Sequence, residues 1–373
     1  MNLTIKKVAL LSLMVIIFSE NLLAQQLYNI YFGNLHAHTS YSDGSKDGAT
    51  SGVKTPADAY AFAKQSQHFD FLGISEHNHS GEGMNRINYA KGLEQADRAN
   101  LNGSFVALFG MEYGMYVQGH ILVYGSDKLI GWETGNADIL TTKNDYASLY
   151  YQIAHASGIF ATLAHPSKYH FNGLRDRPYD VLADQALSGV AIANGAHSST
   201  TTDYSDKVKL GDEGYYLTLL SRGYIIGPTI DHDNHYTTFG RHSASRTAVL
   251  AKSLTRPDII EAYRNNRFYA SQDWNAKVSF TINGQPMGSY LKASSKLEIS
   301  ATIADEPSDP VKTIELFHGT PGSNKKAKVL TRGNSATFAY EVTLSPGSAS
   351  YYFLKITQKD GDEILTSPIW AKN

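Results

Sequence analysis

The 373-residue chain has no cysteine. This excludes disulfide scaffolds, thiol nucleophiles and zinc or iron–sulfur sites built on thiolates. An excess of either charge is missing too: 33 Lys+Arg against 35 Asp+Glu leave a formal net charge of −2. Bulk nucleic-acid binding driven by positive charge is therefore not expected, although a small basic pocket is compatible with this balance. Charged residues reach only 18% against 42% hydrophobic, so the chain is neither disordered nor fibrous. Apolar runs long enough to span a bilayer comfortably are absent as well. The most apolar stretch, Val8–Phe18, follows Lys6 and Lys7 and leads through Ser19-Glu20-Asn21 into Leu22-Leu23-Ala24. That is the order of a secretory signal peptide over residues 1–24, cut near Ala24; an uncleaved anchor is the alternative. The expectation is a periplasmic or secreted protein with no membrane span after signal cleavage.

What the chain does have is two differently patterned parts, in keeping with a prior of roughly 150 residues per domain. Over 25–275, short apolar runs alternate with helical segments. The runs are Leu27–Phe32, Phe69–Ile74, Phe105–Phe109, Ile121–Tyr124, Gly158–Leu163, Val190–Ala193 and Gly223–Ile226. Helix candidates between them are Pro56–Gln65, Tyr146–Ala156, Gly214–Arg222 and Pro257–Asn265. Thr55 and Pro56 are a typical N-cap and first helical residue. Strands alternating with helices favour parallel βαβ units, and about seven of them favour an α/β barrel over a small open sheet. Over 276–373 the pattern changes. Val278–Ile282 alternates and meets the turn signal Asn283-Gly284; Leu297–Ile303, Thr313–Phe317, Thr337–Val342, Tyr351–Thr357 and Ile364–Trp370 follow, broken by Gly, Pro, Ser and Asp. This predicts an all-β, Ig-like antiparallel sandwich.

Thirteen of the fourteen histidines lie at or before His242. Many sit with carboxylates at the ends of the apolar runs. His36-Ala37-His38 closes the first, with Asp43 five residues on; in an extended strand, residues two apart point to one side. Ser75-Glu76-His77-Asn78-His79, Gly110-Met111-Glu112, His120, Ala164-His165-Pro166 and Asp231-His232-Asp233-Asn234-His235 repeat the arrangement. In a parallel barrel such strand ends converge at one face. Divalent metal ions are the natural reason to gather so many nitrogen and oxygen donors.

At these residues the chain resembles the polymerase-and-histidinol-phosphatase (PHP) family of metal-dependent phosphoesterases. The matching pieces are His36-Ala37-His38 with Asp43, Glu76-His77, Gly110-Met111-Glu112, Gly119-His120, Ala164-His165-Pro166 and Asp233-Asn234-His235. They follow the family's order across roughly residues 30–240, and the closest flavour is the secreted branch that includes carbamate-type metallohydrolases. Asn34, Glu76 and Asn78 depart from the aspartates of many members, which bears on metal choice more than on the ligand count. The resemblance implies a distorted seven-stranded (β/α) barrel holding two or three divalent ions, Zn, Mn or Fe. It places one ion on His36, His38, Glu112 and Asp233, a second on Glu112, His120 and His165, and a third on Asp43, His77 and His235.

The expected activity is hydrolysis of a small anionic phosphate ester by hydroxide generated between ions. His79 or His232 would protonate the leaving group. Arg241, Lys168 and Asn194 are candidate substrate contacts, and Arg246 is a further candidate anion binder. Hydrolysis of a carboxylic or carbamic ester or an amide on the same site is the first alternative. A non-catalytic metal- or glycan-binding protein is the second.

Overall fold

The computed structural model describes residues 27–292, 295–306 and 309–373. The signal peptide expected over 1–24 lies outside the described residues. Among those described, no helix is long and apolar enough to cross a membrane.

Up to residue 271 the strands are β1 Asn29–Asn34, β2 Phe71–His77, β3 Val106–Met115, β4 Gly119–Tyr124, the short parallel pair β5 Ile130–Gly131 and β6 Ile139–Leu140, β7 Phe160–Ala164, β8 Leu187–Asn194, β9 Gly227–Asp231, β10 Arg246–Ala251 and β11 Phe268–Ser271. Most are continuous apolar runs because both faces are covered: every residue of β2, β7, β9, β10 and β11 is buried. Helices fill the connections. Pro56–Ala63 starts where the Thr55 side chain accepts from the Asp58 amide, while Asp58 accepts from the Thr55 amide at 2.9 Å, a reciprocal capping box. Arg256–Arg264 is capped by the Thr255 side chain, which accepts from the Asp258 amide, while Asp258 itself accepts from the Ser253 amide.

The fold is mixed α/β, and the expected run of parallel strands holds only in part. β1, β2 and β3 are parallel, as are β7, β8 and β9, but β4 runs antiparallel to both β3 and β7. The cause is local. Only the three-residue turn Tyr116–Gln118 separates β3 from β4, too short for the crossover that a parallel pair needs. β10 continues the other edge antiparallel to β1, and β11 pairs antiparallel to β10. Among the described residues no ladder joins β9 to β10. The link there is Ile230, whose amide donates to Thr247 Oγ1 at 2.9 Å, together with an isolated parallel bridge between Ala37 and Asn234.

Beyond residue 276 come β12 Lys277–Ile282, β13 Gln285–Pro286, β14 Tyr290–Lys292, β15 Lys296–Ala304, β16 Val311–Gly319, β17 Lys328–Gly333, β18 Thr337–Thr343, β19 Ala349–Gln358, β20 Glu363–Thr366 and β21 Ile369–Lys372. Asn283 (φ 50°) and Gly284 (φ 74°) close the β12–β13 hairpin, the conformation for which Asn-Gly is suited. β13-β12-β15-β18 form one antiparallel sheet. The other face is not a separate sheet. β19 pairs β16, β20 and β21, and β20 pairs β11, so one hydrogen-bonded sheet runs from the α/β part into the C-terminal part. The shared core follows: Val278, Phe280, Leu297 and Ile299 pack with Leu316, Leu354 and Ile364, and with Phe32, Leu250 and Tyr269 from the first part.

Candidate metal centre

Strand ends deliver the histidines and carboxylates to one place. His36 and His38 flank Ala37, whose bridge to Asn234 ties the segment after β1 to the segment after β9; the His38 amide donates to the Asn234 carbonyl at 2.8 Å. His77 ends β2, Glu112 lies within β3 directly opposite it, and His120 lies in β4. His165 follows β7 at φ 27° and Asp233 follows β9 at φ 55°. Positive φ is costly for non-glycine residues, and the fold holds both in it.

Glu112 is the hub. Its carboxylate is buried, and imidazole nitrogens of His36 (3.0 Å), His38 (3.2 Å), His77 (3.3 Å), His120 (2.9 Å) and His165 (3.0 Å) surround it. Asp233 lies 3.1 Å from His36 and 3.3 Å from His38. Asp43 receives His235 at 3.0 Å and His77 at 3.5 Å. Three donor sets emerge, each with one atom per residue and all atoms within 4.8 Å: His36, His38, Glu112 and Asp233; His77, Glu112 and His120; and His38, Asp43, His77 and His235. All nine residues expected to hold metal are brought together. The difference lies in grouping: His77 stands between two sets, and His165 joins through Glu112 and through His120 at 3.3 Å.

The donor chemistry suits cations. His36 Nε2, His38 Nε2, His77 Nδ1 and Asp43 Oδ1 are buried and, despite the short contacts above, make no aligned hydrogen bond, an arrangement that costs stability unless a cation shares them. Neighbours fix the orientation of the rings. His36 Nδ1 meets Asp231 Oδ2 at 3.3 Å, and His235 Nδ1 meets the Asp233 carbonyl at 2.9 Å. Each of those contacts leaves Nε2 facing the centre. The electrostatics record the imbalance. Burial alone would lower His36 and His38, yet Asp233 and Glu112 hold His36 well above its ordinary pKa and raise His38 to about 10. His77 is pushed down to about 3, by burial first. Burial opposes ionisation of Glu112, but His120, His36 and His77 keep its pKa well below the usual carboxylate value.

The remaining expected site residues divide. His79 sits beside His77 (ring centroids 6.0 Å) and against Trp132 (5.4 Å), with its pKa lowered by burial. Asn194 donates to Asp233 Oδ2 at 3.3 Å, and its Oδ1 is buried without a partner, so it braces that carboxylate. His232 is not poised as a proton donor. It is fully buried, with Nε2 at the Ser245 carbonyl (2.8 Å) and its ring packed on His242. Arg241 turns away: its guanidinium lies 4.4 Å from the Phe62 ring centroid and reaches Ser66 and Gln65. Arg246 is no anion binder either. It is buried among the carbonyls of Gln67, His68, Gly240, Ser243 and Ser245. Lys168 is exposed and lies over Tyr169. Among the described residues, the cation in contact with the cluster is Lys46, 3.6 Å from Asp43.

Lys46 escaped the sequence reading. In sequence Glu76 stands out as a departure that bears on metal choice, and its role as a brace was missed: wholly buried, it accepts from the Thr39 amide and from the Thr39 and Ser42 hydroxyls, and so folds the loop that carries Asp43. The Thr39-x-x-Ser42 hydroxyls beside the paired histidines were the available signal.

No protein-family model matches the chain. A protein of Chlamydia muridarum is 30% identical over 42% of this chain and 29% of its own length, and one of Chlamydia trachomatis is 28% identical over the same shares; both are described as uncharacterized. This chain thus spans under a third of those relatives. Among solved structures, the lesion-specific endonuclease PfuEndoQ from Pyrococcus furiosus aligns at 15% identity and a TM-score of 0.37, covering 63% of this chain and 56% of that one, a likeness too weak to fix fold or function.

Proposed function

We propose that the protein is a metal-dependent hydrolase of the PHP type, acting on a small anionic phosphate ester. The observation that carries the reading is Glu112, a single buried carboxylate surrounded by five imidazoles and shared between two donor sets. In this reading the nine residues hold two or three divalent ions, and the strands from β1 to β9 form a distorted seven-stranded barrel with its seam at the Ala37–Asn234 bridge. When bound, the ions supply Lewis acidity and a water of lowered pKa.

The chain's own residues do the rest. Glu112 and Asp233 set the local charge. Asp231 and the Asp233 carbonyl orient His36 and His235, and Asn194 steadies Asp233. His79, whose pKa burial lowers, lies beside His77 and would take a proton from the attacking water and pass it to the leaving group. Lys46 offers the substrate a positive charge at the Asp43 side.

One observation favours hydrolysis of a carboxylic or carbamic ester or an amide as a second reading: Arg241 and Arg246 are engaged elsewhere, so neither clamps a phosphate. The test is metal analysis of the purified protein, then turnover of phosphomonoesters, phosphodiesters, aryl esters and carbamates with each metal restored. Turnover confined to carbon esters would replace the phosphoesterase reading. No turnover by fully metallated protein would leave a binder.

A further inference from the structure

A second gathering of donors lies at the seam between the two parts, and it contains no histidine. Asp273 follows β11, Asp305 and Asp309 lie between β15 and β16, and Gln358 ends β19. One oxygen from each aspartate lies within 4.8 Å of the others. Among the described residues, no ion pair includes any of the three. Asp360 and Asp362, in the turn after β19, add to the charge: Asp362 is pushed up to about 6 by burial and then by Asp360. Carboxylates this close repel unless a cation or a shared proton lies among them.

Acidic clusters alone are common; Gln358 sets this one apart. Its side chain is wholly buried, and its amide head lies in the cluster. Nε2 donates to Asp273 Oδ2 at 3.0 Å and to Asp305 Oδ2 at 3.1 Å. The Oε1 of the same amide is buried with no partner, as is Asp305 Oδ1. A half-turn of the amide exchanges Nε2 for Oε1 at the same spot. With a cation present, that half-turn gives the orphaned oxygen a partner, and the cation takes over the two carboxylate contacts that Nε2 gives up.

We propose that Asp273, Asp305, Asp309 and the side-chain carbonyl of Gln358 form a Ca2+ site. An all-oxygen donor set selects a hard cation over the metals that prefer imidazole. Three aspartate oxygens within 4.8 Å of one another leave room for Ca2+, whose flexible shell of roughly six to eight oxygens suits an irregular set of carboxylates and an amide better than the strict octahedron of Mg2+. Waters complete the shell. The site joins the loop after β11 to the turns of the C-terminal sheets, so occupancy would stabilise the junction of the two parts.

The test uses the full-length protein, dialysed against EDTA and then titrated with CaCl2 by calorimetry and thermal unfolding. One Ca2+ per chain is expected at this site. A rise in Tm of roughly 2–4 °C is expected at a hundredfold excess over Kd. Asp309 is exposed, so Asp309→Ala should fold normally, weaken Ca2+ binding by at least about tenfold and lose the Tm response. Glu112→Gln should keep both signals. The proposal fails if Ca2+ produces no heat and no shift in the wild type, or if Asp309→Ala and Asp305→Asn both respond fully. It fails equally if the response disappears in Glu112→Gln, or if Mg2+ binds more tightly than Ca2+. A higher Tm for Asp305→Asn with no Ca2+ heat in the wild type would identify a shared proton instead.

Discussion

Glu112→Gln is the most informative single change. The side chains are nearly isosteric, and residue 112 sits in a β3 register fixed by β2 and β4, so the strand should stay in place. The charge is lost, and one of the two oxygens becomes an NH2 that faces cations unfavourably. In the wild type both oxygens are engaged: Oε1 faces His36, His120 and His165, and Oε2 faces His38 and His77. If each charge-assisted contact is worth roughly 1.5–3 kcal/mol, losing two weakens metal retention by roughly 3–6 kcal/mol, or a factor of about 10² to 10⁴. The assay is elemental analysis after equilibration at limiting metal, with circular dichroism to verify folding and turnover measured on the same sample. The expected result is loss of at least one ion and of most activity, with the spectrum retained. Glu82→Gln is the control, because Glu82 is exposed in the turn after His79, and it should be silent. A folded Glu112→Gln protein with the full metal complement and wild-type turnover would refute the hub.

Other outcomes follow from the same geometry. Arg241→Ala should leave kcat/KM for phosphate substrates within about twofold and cost about 0.5–1 kcal/mol of stability, the value of its stacking on Phe62; a tenfold fall in kcat/KM would return it to the site. Arg246→Met strands five carbonyls and should destabilise by more than about 4 kcal/mol in denaturant melts, and a loss under 1 kcal/mol would contradict the buried network. His242 is pushed down to about 4 by burial and then by Arg246. Its folded pKa lies below the unfolded value, so its contribution is complete above about pH 6.5 and is lost as the pH falls through 4; at full shift this is about 3 kcal/mol. His242→Gln should flatten that window of the stability–pH curve, and an unchanged slope would show that His242 does not titrate there. A chain ending at Asn275 should be poorly soluble, because it strips β20 from β11; a monomeric, fully folded truncation would show that the shared sheet is dispensable.

Much of the centre was legible because metal-type donors at strand ends are a local signal: two residues apart in His36-Ala37-His38, adjacent to a proline in His165. The start of the helix at Pro56 was legible for the same reason, since Thr55 announces its cap. The helix Arg86–Ala99 was not. It buries only Tyr89, Gly92 and Ala96, a stripe of small and aromatic residues that leaves little apolar periodicity. The strand expected over Gly223–Ile226 instead begins at Gly227, because Gly223 at φ 107° ends the preceding helix. Strand direction was the largest gap. Nothing in Phe105–Tyr124 signals that β3 would extend to Met115 and turn back. The charges of Arg241 and Arg246 were visible, but whether a guanidinium faces solvent, a ring or a cage of carbonyls is decided by residues far away in sequence.

The pairing of β1 with β10 has a consequence for the order of events during synthesis. Asn29 leaves the ribosome first of the described strands, yet its partner Ala251 is made roughly 220 residues later, on the order of 10–40 s at ordinary elongation rates. Until residue 234 is made, the segment carrying His36 and His38 has only β2 to pair with and lacks the Asn234 bridge. By residue 165 the nascent chain already carries His36, His38, His77, Glu112, His120 and His165, but Asp233 and His235 do not yet exist. The set His77, Glu112 and His120 can therefore meet metal early, while the two sets that need Asp233 or His235 are completed last.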